Sequence, residues 1–291
     1  MKIAENWLDY QIIATGNGYK LERWKDVTLL RPDPQVIWPA QRDMDNYNTL
    51  NAKYVRSETG GGKWQRKKPM PEEWVISYKN LKFLIKPMGF KHTGLFPEQA
   101  VNWDIMINLI KKANRPINVL NLFAYTGGAT VACLSAGASV CHVDAAKGMV
   151  ERAGENCRIS NVGEGKVRFI IDDCLKFVKR EIRRGKKYDA IIMDPPSFGR
   201  GPNGETWKIE NELFGLVKTC TEVLSDNPLF FLINSYTTGL QPQVIKNILT
   251  LNMSNFKGEI KAYEVGLPTD ENIALPCGCS GMWIADDMKD L

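Results

Sequence analysis

Four acidic positions and one glycine turn carry most of the chemistry that the residue types of this chain allow. The sharpest is Asp194, in the run Met193-Asp194-Pro195-Pro196-Ser197-Phe198-Gly199. Two prolines after an acid make a rigid turn that neither joins a sheet nor enters a helix interior. The Asp194 carboxylate and the backbone carbonyls after it are then held facing a crevice, with the Phe198 ring placed to stack on a planar substrate. Upstream, Asn121-Leu122-Phe123-Ala124-Tyr125-Thr126-Gly127-Gly128 ends in two glycines, which permit a sharp turn and close approach of a ligand to the backbone. This is not G-x-G-x-x-G, the pattern a dinucleotide pyrophosphate requires; an ordinary strand-to-helix turn would look the same. Asp144 lies seventeen residues past Gly127, where a carboxylate can accept both hydroxyl protons of a ribose. Capping the next helix is the alternative. In Asp172-Asp173 one acid suits the exocyclic amine of an adenine and the other suits a helix cap.

These acids can act together only at the carboxyl ends of parallel strands, where open α/β sheets bind ligands. The pattern after residue 115 meets that condition. Short apolar strands at 117–123, 139–144, 167–171, 188–194 and 229–234 alternate with helical stretches at 129–136, 147–160, 175–184 and 207–224. That alternation implies a mostly parallel α/β sheet covered on both faces. The last two strands, 261–265 and 282–285, have no helix between them, so one antiparallel strand is expected. The beginning of the chain differs. Ile12-Ile13 runs into Thr15-Gly16-Asn17-Gly18, and 27–30 stops at Arg31-Pro32-Asp33-Pro34. A break follows at Gly60-Gly61-Gly62-Lys63, and strands at 74–77 and 81–85 meet near Lys79-Asn80. This is too little apolar material for a large core. A small β-rich accessory domain, 1–88, ahead of a larger domain, 89–291, is the expected division.

Composition sets the outer bounds. With 44% hydrophobic and 24% charged residues the chain is that of a soluble globular protein. The apolar run at 229–233 falls far short of the roughly 18 residues that cross a bilayer. The first ten residues carry Glu5, Asn6 and Asp9, unlike a secretory leader. Seven cysteines, mostly in apolar surroundings, fit a reducing, cytoplasmic address. Two histidines and the single pair Cys277-Gly278-Cys279 do not complete a four-ligand zinc site, so no metal is expected. The net charge of +5 is unevenly placed, because residues 91–291 carry 23 basic and 23 acidic side chains. Residues 53–86 hold nine basic against three acidic, which points to a polyanionic partner. Within that segment Trp64 and Trp74 flank Arg66, Lys67 and Lys68. Such cations contact phosphates while an indole stacks on an unpaired base; a solvated loop with packed tryptophans is the alternative.

The order Asn121 to Gly128, Asp144, Asp173 and Asp194-Pro195-Pro196-Ser197-Phe198 resembles the class I S-adenosylmethionine-dependent methyltransferases. It is similar in particular to the large-subunit ribosomal RNA methyltransferases that carry a small N-terminal domain. Lys91-His92-Thr93-Gly94-Leu95-Phe96-Pro97-Glu98-Gln99 resembles that group's K-T-G-x-F-x-x-Q segment, which packs over the cofactor. The resemblance covers roughly residues 80–285 and implies a Rossmann-like sheet with S-adenosylmethionine as cofactor. It assigns Phe123, Tyr125, Thr126 and Gly127 to the methionine end, Asp144 to the ribose and Asp173 to the adenine amine. Asp194 would lie between the methionine amino group and the substrate, with Thr93 and Phe96 closing the pocket. Asp194, Pro195, Ser197 and Phe198 would form the catalytic turn, and Trp64, Arg66, Lys67 and Lys68 would contact RNA. A small-molecule or protein methyltransferase with residues 1–90 as a lid remains open, as does an RNA-binding protein that holds the cofactor without turnover.

In one respect the chain departs from the group. Members that methylate carbon 5 of cytosine use a cysteine just after the fifth strand, whereas this chain has Asn234-Ser235-Tyr236-Thr237-Thr238-Gly239 there. The residue after the prolines is Ser197. Only Cys277 and Cys279, read as part of a Gly- and Pro-rich loop before the final strand, offer a thiol. An exocyclic amine as methyl acceptor needs no thiol and is the expected substrate group; carbon 5 is the alternative.

Overall fold

The strands of the first part of the chain form because apolar residues recur at every second position or fill both faces. The structure, a computed structural model, describes residues 1–57, 61–200 and 206–288; Gly60 of the expected glycine break lies outside them. Contacts divide the chain into two units, Met1–Val101 with Val265–Cys277, and Asn102–Glu264 with Gly278 onward.

The first unit contains β1 (Lys2–Ile3), β2 (Tyr10–Gly16), β3 (Tyr19–Trp24), β4 (Val27–Pro32), β5 (Leu50–Arg56), β6 (Gly62–Arg66), β7 (Trp74–Tyr78) and β8 (Leu81–Ile85). Strands β2 to β6 make one five-stranded sheet in chain order, antiparallel except for the parallel β4–β5 pair. The two residues between β2 and β3, Asn17 and Gly18, both have positive φ (53° and 79°). This is the turn whose twist matches paired strands, and Asn-Gly is its preferred sequence. Along β5 buried and half-buried residues alternate, as a strand with one packed face requires. Strands β7 and β8 pair as a hairpin around Lys79-Asn80, where the sequence places it.

A charged cluster is buried in this unit. Glu22 is fully buried and accepts from the Tyr10 hydroxyl (2.6 Å) and from the Arg31 guanidinium at Nε (2.5 Å) and at its terminal nitrogen (2.7 Å). Burial alone would raise the Glu22 carboxyl, but Arg31 and Lys20 outweigh it and hold it below the ordinary value. The same pairing raises Arg31 despite its burial.

The second unit is the α/β layer. After α1 (Ala100–Ala113, which begins in the first unit) come β9 (Asn118–Leu122), α2 (Gly128–Ser135), β10 (Ser139–Asp144), α3 (Lys147–Ile159), β11 (Val167–Ile171) and α4 (Cys174–Arg183). The chain continues through β12 (Ala190–Met193), β13 (Phe198–Arg200), β14 (Thr206–Lys208), α5 (Ile209–Thr221), β15 (Phe230–Ser235), α6 (Pro242–Asn252), β16 (Gly258–Pro268) and β17 (Ala274–Ala285). The main sheet runs β16-β17-β15-β12-β9-β10-β11. Strands β15, β12, β9, β10 and β11 are parallel, and β17 lies antiparallel to β15, as expected. From β9 the chain steps outward through β10 and β11, then returns to β12 on the other side of β9. The strand order reverses between β9 and β12, which is where such sheets bind ligands.

The expected helix at 207–224 starts instead at Ile209. Trp207 lies in the short strand β14, paired with β13 across the Phe198–Lys208 and Gly199–Trp207 positions. Helices α1 and α6 carry no sequence expectation. Among the described residues no helix is long and apolar enough to cross a membrane.

The Glu22 cluster yields a pH-dependent prediction. The folded pKa of Glu22 lies below its unfolded value of about 4.3. Its stabilisation is therefore complete above that value and is lost as pH falls through the folded pKa. We expect urea unfolding to show parent stability falling in acid, and Glu22→Gln to cost about 3–5 kcal/mol at pH 7, since it strands a buried guanidinium. The variant should also show a shallower acid loss. A Glu22→Gln protein as stable as the parent at pH 7 would show the cluster to be energetically idle.

Candidate active site

The loops that leave β9 and β12 flank the switch point, and both have unusual backbones. Phe123 and Tyr125 adopt left-handed conformations (φ 53° and 50°), and Gly127 follows at φ 80°. Non-glycine residues held this way cost about 1–3 kcal/mol each and persist only where the surroundings dictate it. Here the surroundings are well defined. The Tyr125 N–H donates to Asp144 Oδ2 (2.9 Å), the Ala124 N–H to the Val143 carbonyl (3.1 Å), and buried Asn156 Nδ2 to the Thr126 carbonyl (2.8 Å). A Cβ on Gly127 would meet Ala153 Cβ at 2.8 Å, so α3 packs too closely for any other residue.

Asp144 ends β10 and does not cap α3, whose N-cap is Ala146 with no side-chain bond. Its Oδ1 accepts from the Ala146 N–H (2.8 Å) and its Oδ2 from the Tyr125 N–H. Each carboxylate oxygen thus keeps acceptor capacity for a further donor. Beneath the loop, Asn121 Nδ2 donates to Thr130 Oγ1 (2.9 Å), which is hydrogen-bonded to His142 Nδ1 (2.9 Å). All three side chains are buried, and burial pushes the His142 imidazole down to about 4, so it is neutral at pH 7. Thr130, His142 and Asn156 carry no local sequence signal as site residues. Each finds its partner 9 to 30 residues away in sequence, so nothing in its immediate neighbours marks it.

After β11 the two acids divide their work. Asp173 is the N-cap of α4, accepting from the Lys176 N–H at 2.8 Å through Oδ1. Asp172 forms an ion pair with Arg180. Asp173 is exposed, and its Oδ2 points to no partner among the described residues.

The loop after β12 has half-buried Asp194, buried Pro195 and exposed Pro196, Ser197 and Phe198. The carbonyl of Pro196 does not stand free in the crevice, as the rigid turn led us to expect; it accepts from Trp207 Nε1 at 2.6 Å. The Trp207 ring also lies 5.8 Å from that of Phe123. Trp207 therefore joins the two loops of the switch point, a role hidden by reading it as the start of a helix. Ser197 Oγ is 2.6 Å from Thr237 Oγ1, and the Thr237 N–H donates to Ser235 Oγ (3.2 Å). Asn234 is buried and accepts from Asn102 Nδ2 (3.1 Å) and Ser280 Oγ (2.8 Å), while Tyr263 donates to Asn102 (2.7 Å).

Thr93 and Phe96 belong to the first unit. The Thr93 hydroxyl is fully buried without a hydrogen-bond partner among the described residues, and its carbonyl accepts from the Lys86 N–H. Phe96 packs against His92, with ring centroids 5.3 Å apart. In the basic segment, Trp64 donates its indole N–H to the Met88 carbonyl (2.8 Å) and meets Tyr54 edge-on. The Lys67 ammonium donates to the Asp45 carbonyl (2.5 Å) and that of Lys68 to the Asn48 carbonyl. Arg66 and Lys63 are exposed and make no ion pair among the described residues.

Cys277 and Cys279 do not lie in a loop. Both are in β17, where Cys279 stands opposite Ser235. The glycines and proline that looked like loop residues are strand residues; a Cβ at Gly278 would meet the Ser235 carbonyl at 2.6 Å. Cys279 is buried, its thiol donating to the Leu240 carbonyl (3.2 Å), and burial pushes its pKa up to about 11. Burial also raises Cys277 well above the ordinary value.

Residues 35–226 match the family described as S-adenosylmethionine-dependent methyltransferase. The crystal structure of an S-adenosylmethionine-dependent methyltransferase from Agrobacterium tumefaciens is 32% identical, with TM-score 0.90, covering 98% of this chain and 93% of that one. A ribosomal RNA large subunit methyltransferase K/L from Shewanella frigidimarina is 28% identical over 207 residues, 70% of this chain and 27% of that protein. A putative ribosomal RNA large subunit methyltransferase of Methanocaldococcus jannaschii is 34% identical over 126 residues, 43% of this chain and 32% of that protein. The matches thus span about a third or less of these two curated relatives.

The cysteine geometry predicts thiol behaviour directly. Six of the seven cysteines are buried and Cys277 is half-buried. With the native protein at pH 7.5, as a chosen working condition, a bulky thiol reagent should react slowly and at Cys277 first. In denaturant all seven should react. Rapid native labelling at Cys279, located by peptide mass, would contradict its buried, protonated state.

Proposed function

The chain belongs to the S-adenosylmethionine-dependent methyltransferase family, and on that footing we propose that it methylates an exocyclic amine of a base in structured RNA, with cytoplasmic ribosomal RNA as the substrate. Two observations support RNA: curated relatives named as ribosomal RNA methyltransferases, and the basic segment at 53–86 with Lys63 and Arg66 exposed. On this reading residues 1–88 are an accessory RNA-binding domain, with Trp64, Arg66, Lys67 and Lys68 contacting RNA, and residues 89–291 are the methyltransferase domain. The intramolecular bonds of Lys67 and Lys68 leave Arg66 as the readiest phosphate contact.

The residues at the switch point fit the cofactor. Asp144 keeps acceptor capacity on both oxygens, as a ribose diol requires. The 123–127 loop turns sharply without a third glycine, which suits a ligand lacking a pyrophosphate. When bound, S-adenosylmethionine supplies an electrophilic methyl group. Asp144 then holds the ribose, Asp173 Oδ2 accepts from the adenine amine, and the backbone of Phe123 to Gly127 lines the methionine end. Asp194 accepts a proton from the acceptor amine, and Phe198 stacks on the base. In this scheme most of the rate gain is positioning, which can supply about 7–11 kcal/mol.

The observation that carries the choice of acceptor is the state of the thiols. Carbon-5 methylation needs a thiolate to add to the ring. Burial raises the pKa of both Cys279 and Cys277, Cys279 is hydrogen-bonded to the Leu240 carbonyl, and Ser197 is engaged with Thr237.

Two measurements test the reading. By calorimetry, Asp144→Ala should weaken S-adenosylmethionine by about 1.5–3 kcal/mol, roughly ten- to a hundredfold. Asp144→Asn should lie between, because it retains one acceptor oxygen. A folded Asp144→Ala protein with parent affinity would remove Asp144 from the ribose site. In the second measurement, labelled cofactor is incubated with total unmodified RNA, which is digested and its nucleosides identified by mass. We expect an N-methylated base, and a Cys277→Ala/Cys279→Ala protein to turn over within a fewfold of the parent. A 5-methylpyrimidine, or complete loss in the cysteine variant with cofactor binding intact, would establish the thiolate route instead. No label in RNA would overturn the substrate.

A further inference from the structure

Residues 91–291 are neutral in sum, but the neutrality hides a cluster. Between Lys166 and Lys187 there are nine basic and three acidic side chains, the same count as in the basic segment at 53–86. In the structure this stretch is β11, the edge strand of the main sheet, then α4 and the turn that follows it. The three acids are all committed within the fold. Asp173 caps α4, and Asp172 pairs with Arg180. Glu181 is fully buried, accepts from the Tyr188 hydroxyl (2.6 Å), and has Arg184 and Arg168 at 3.3 and 3.6 Å.

Toward the far end of α4 the exposed charges are positive. Lys179, Arg183 and Lys186 are exposed and make no ion pair among the described residues. The buried residues of α4 are Cys174, Phe177, Val178 and Glu181. At 100° per residue, Lys179 and Arg183 fall on the opposite face of the helix; Lys186 lies beyond the helix end, after Gly185 in a left-handed conformation (φ 64°). The helix dipole explains a cation in the last turn, such as Arg183. It does not explain Lys179 in mid-helix or Lys186 beyond the cap. Three exposed cations without an ion pair among the described residues, two on the outer face of α4 and one in the turn after it, gain most from the phosphates of a polyanion.

We infer that the outer face of α4 and the turn after it form a second RNA-backbone surface, on the methyltransferase unit itself. The inference rests on the RNA reading above. Helix α4 starts at the crevice end of β11 and is ten residues long, so its far end lies about 15 Å from the strand ends. RNA that presents a base at the strand ends and phosphates to Arg183 and Lys186 must extend at least about four or five nucleotides, at about 3.4 Å of helix per nucleotide. The substrate is accordingly an extended folded RNA in which the target base is one point of attachment.

The test uses the full chain carrying Lys179→Gln, Arg183→Gln and Lys186→Gln, since Gln keeps the helix propensity. A charge-matched control carries Lys218→Gln, Lys246→Gln and Lys257→Gln. Affinity is measured against unmodified ribosomal RNA and against a three-nucleotide fragment over a range of salt, together with cofactor affinity and thermal unfolding. The α4 variant should keep cofactor affinity and unfolding temperature. It should bind long RNA at least tenfold more weakly at low salt, with the slope of log affinity against log salt reduced by about 0.7–0.9 per lost contact, or about two units. It should match the parent on the short fragment, and the control should stay within a fewfold of the parent on both. Equal affinity and slope for variant and parent on long RNA would overturn the surface. So would an equal loss in the control, or a loss of thermal stability that accounts for the effect. If the parent itself fails to bind either RNA, the substrate reading fails and this inference with it; capture of an acidic protein by the parent but not by the α4 variant would then assign the face to that partner.

Discussion

Phe123 and Tyr125 hold backbone conformations that neither residue would choose, and the carboxylate of Asp144 is what makes Tyr125 hold one of them. The candidate ribose acceptor and the anchor of the first loop are therefore the same side chain. A carboxylate between two backbone N–H groups is fixed in orientation before any ligand arrives, which lowers the cost of binding. Asn156 fixes the other end of the loop at the Thr126 carbonyl, and the packing of Ala153 against Gly127 leaves no room for a different path. Strand β10 and helix α3 together thus determine the shape of a loop that belongs to neither.

This division explains what was legible in the sequence. Strands β10 and β11 were read to the residue, because short apolar runs bounded by acids or turns have few other solutions. The parallel sheet follows from the alternation, and the antiparallel last strand from the missing helix before it; the strand order does not. The supports of the site do not, since a buried Thr130, His142 or Asn156 looks like any polar residue until its partner is brought to it by the fold. Trp207 was misplaced for a related reason. Its neighbours read as the start of a helix, and only the antiparallel pairing of β13 with β14 turns it back onto Pro196 and Phe123. The Cys277-Gly278-Cys279 stretch shows the opposite error. In sequence, glycine there reads as a turn signal; in the strand it serves close approach between strands.

Charge counts misjudge a surface in both directions. In the N-terminal basic segment Lys53, Lys67 and Lys68 are drawn onto Asp45 and nearby carbonyls, so fewer cations are available than the sum implies. Around α4 the acids are engaged as a helix cap, an ion pair and a buried carboxylate, so more cations are available than the neutral total implies. What a partner meets depends on whether each cation already has an acceptor in the fold, and that is decided by helix phase and strand edge.

The same logic bears on the reaction. Positions where a thiol nucleophile would stand in carbon-5 methylation are taken by hydroxyls and amides that bond to one another. Ser197, Thr237 and Ser235 tie the loop after β12 to the end of β15, and Asn234, Asn102, Ser280 and Tyr263 close the layer beneath. A nucleophile must leave its hydrogen bonds to attack, whereas a scaffold gains by keeping them. The loops that flank the switch point are held by these bonds and by the Trp207 bridge, which suits a direct methyl transfer. Such a transfer depends on holding two groups in line rather than on forming and breaking a bond to the protein.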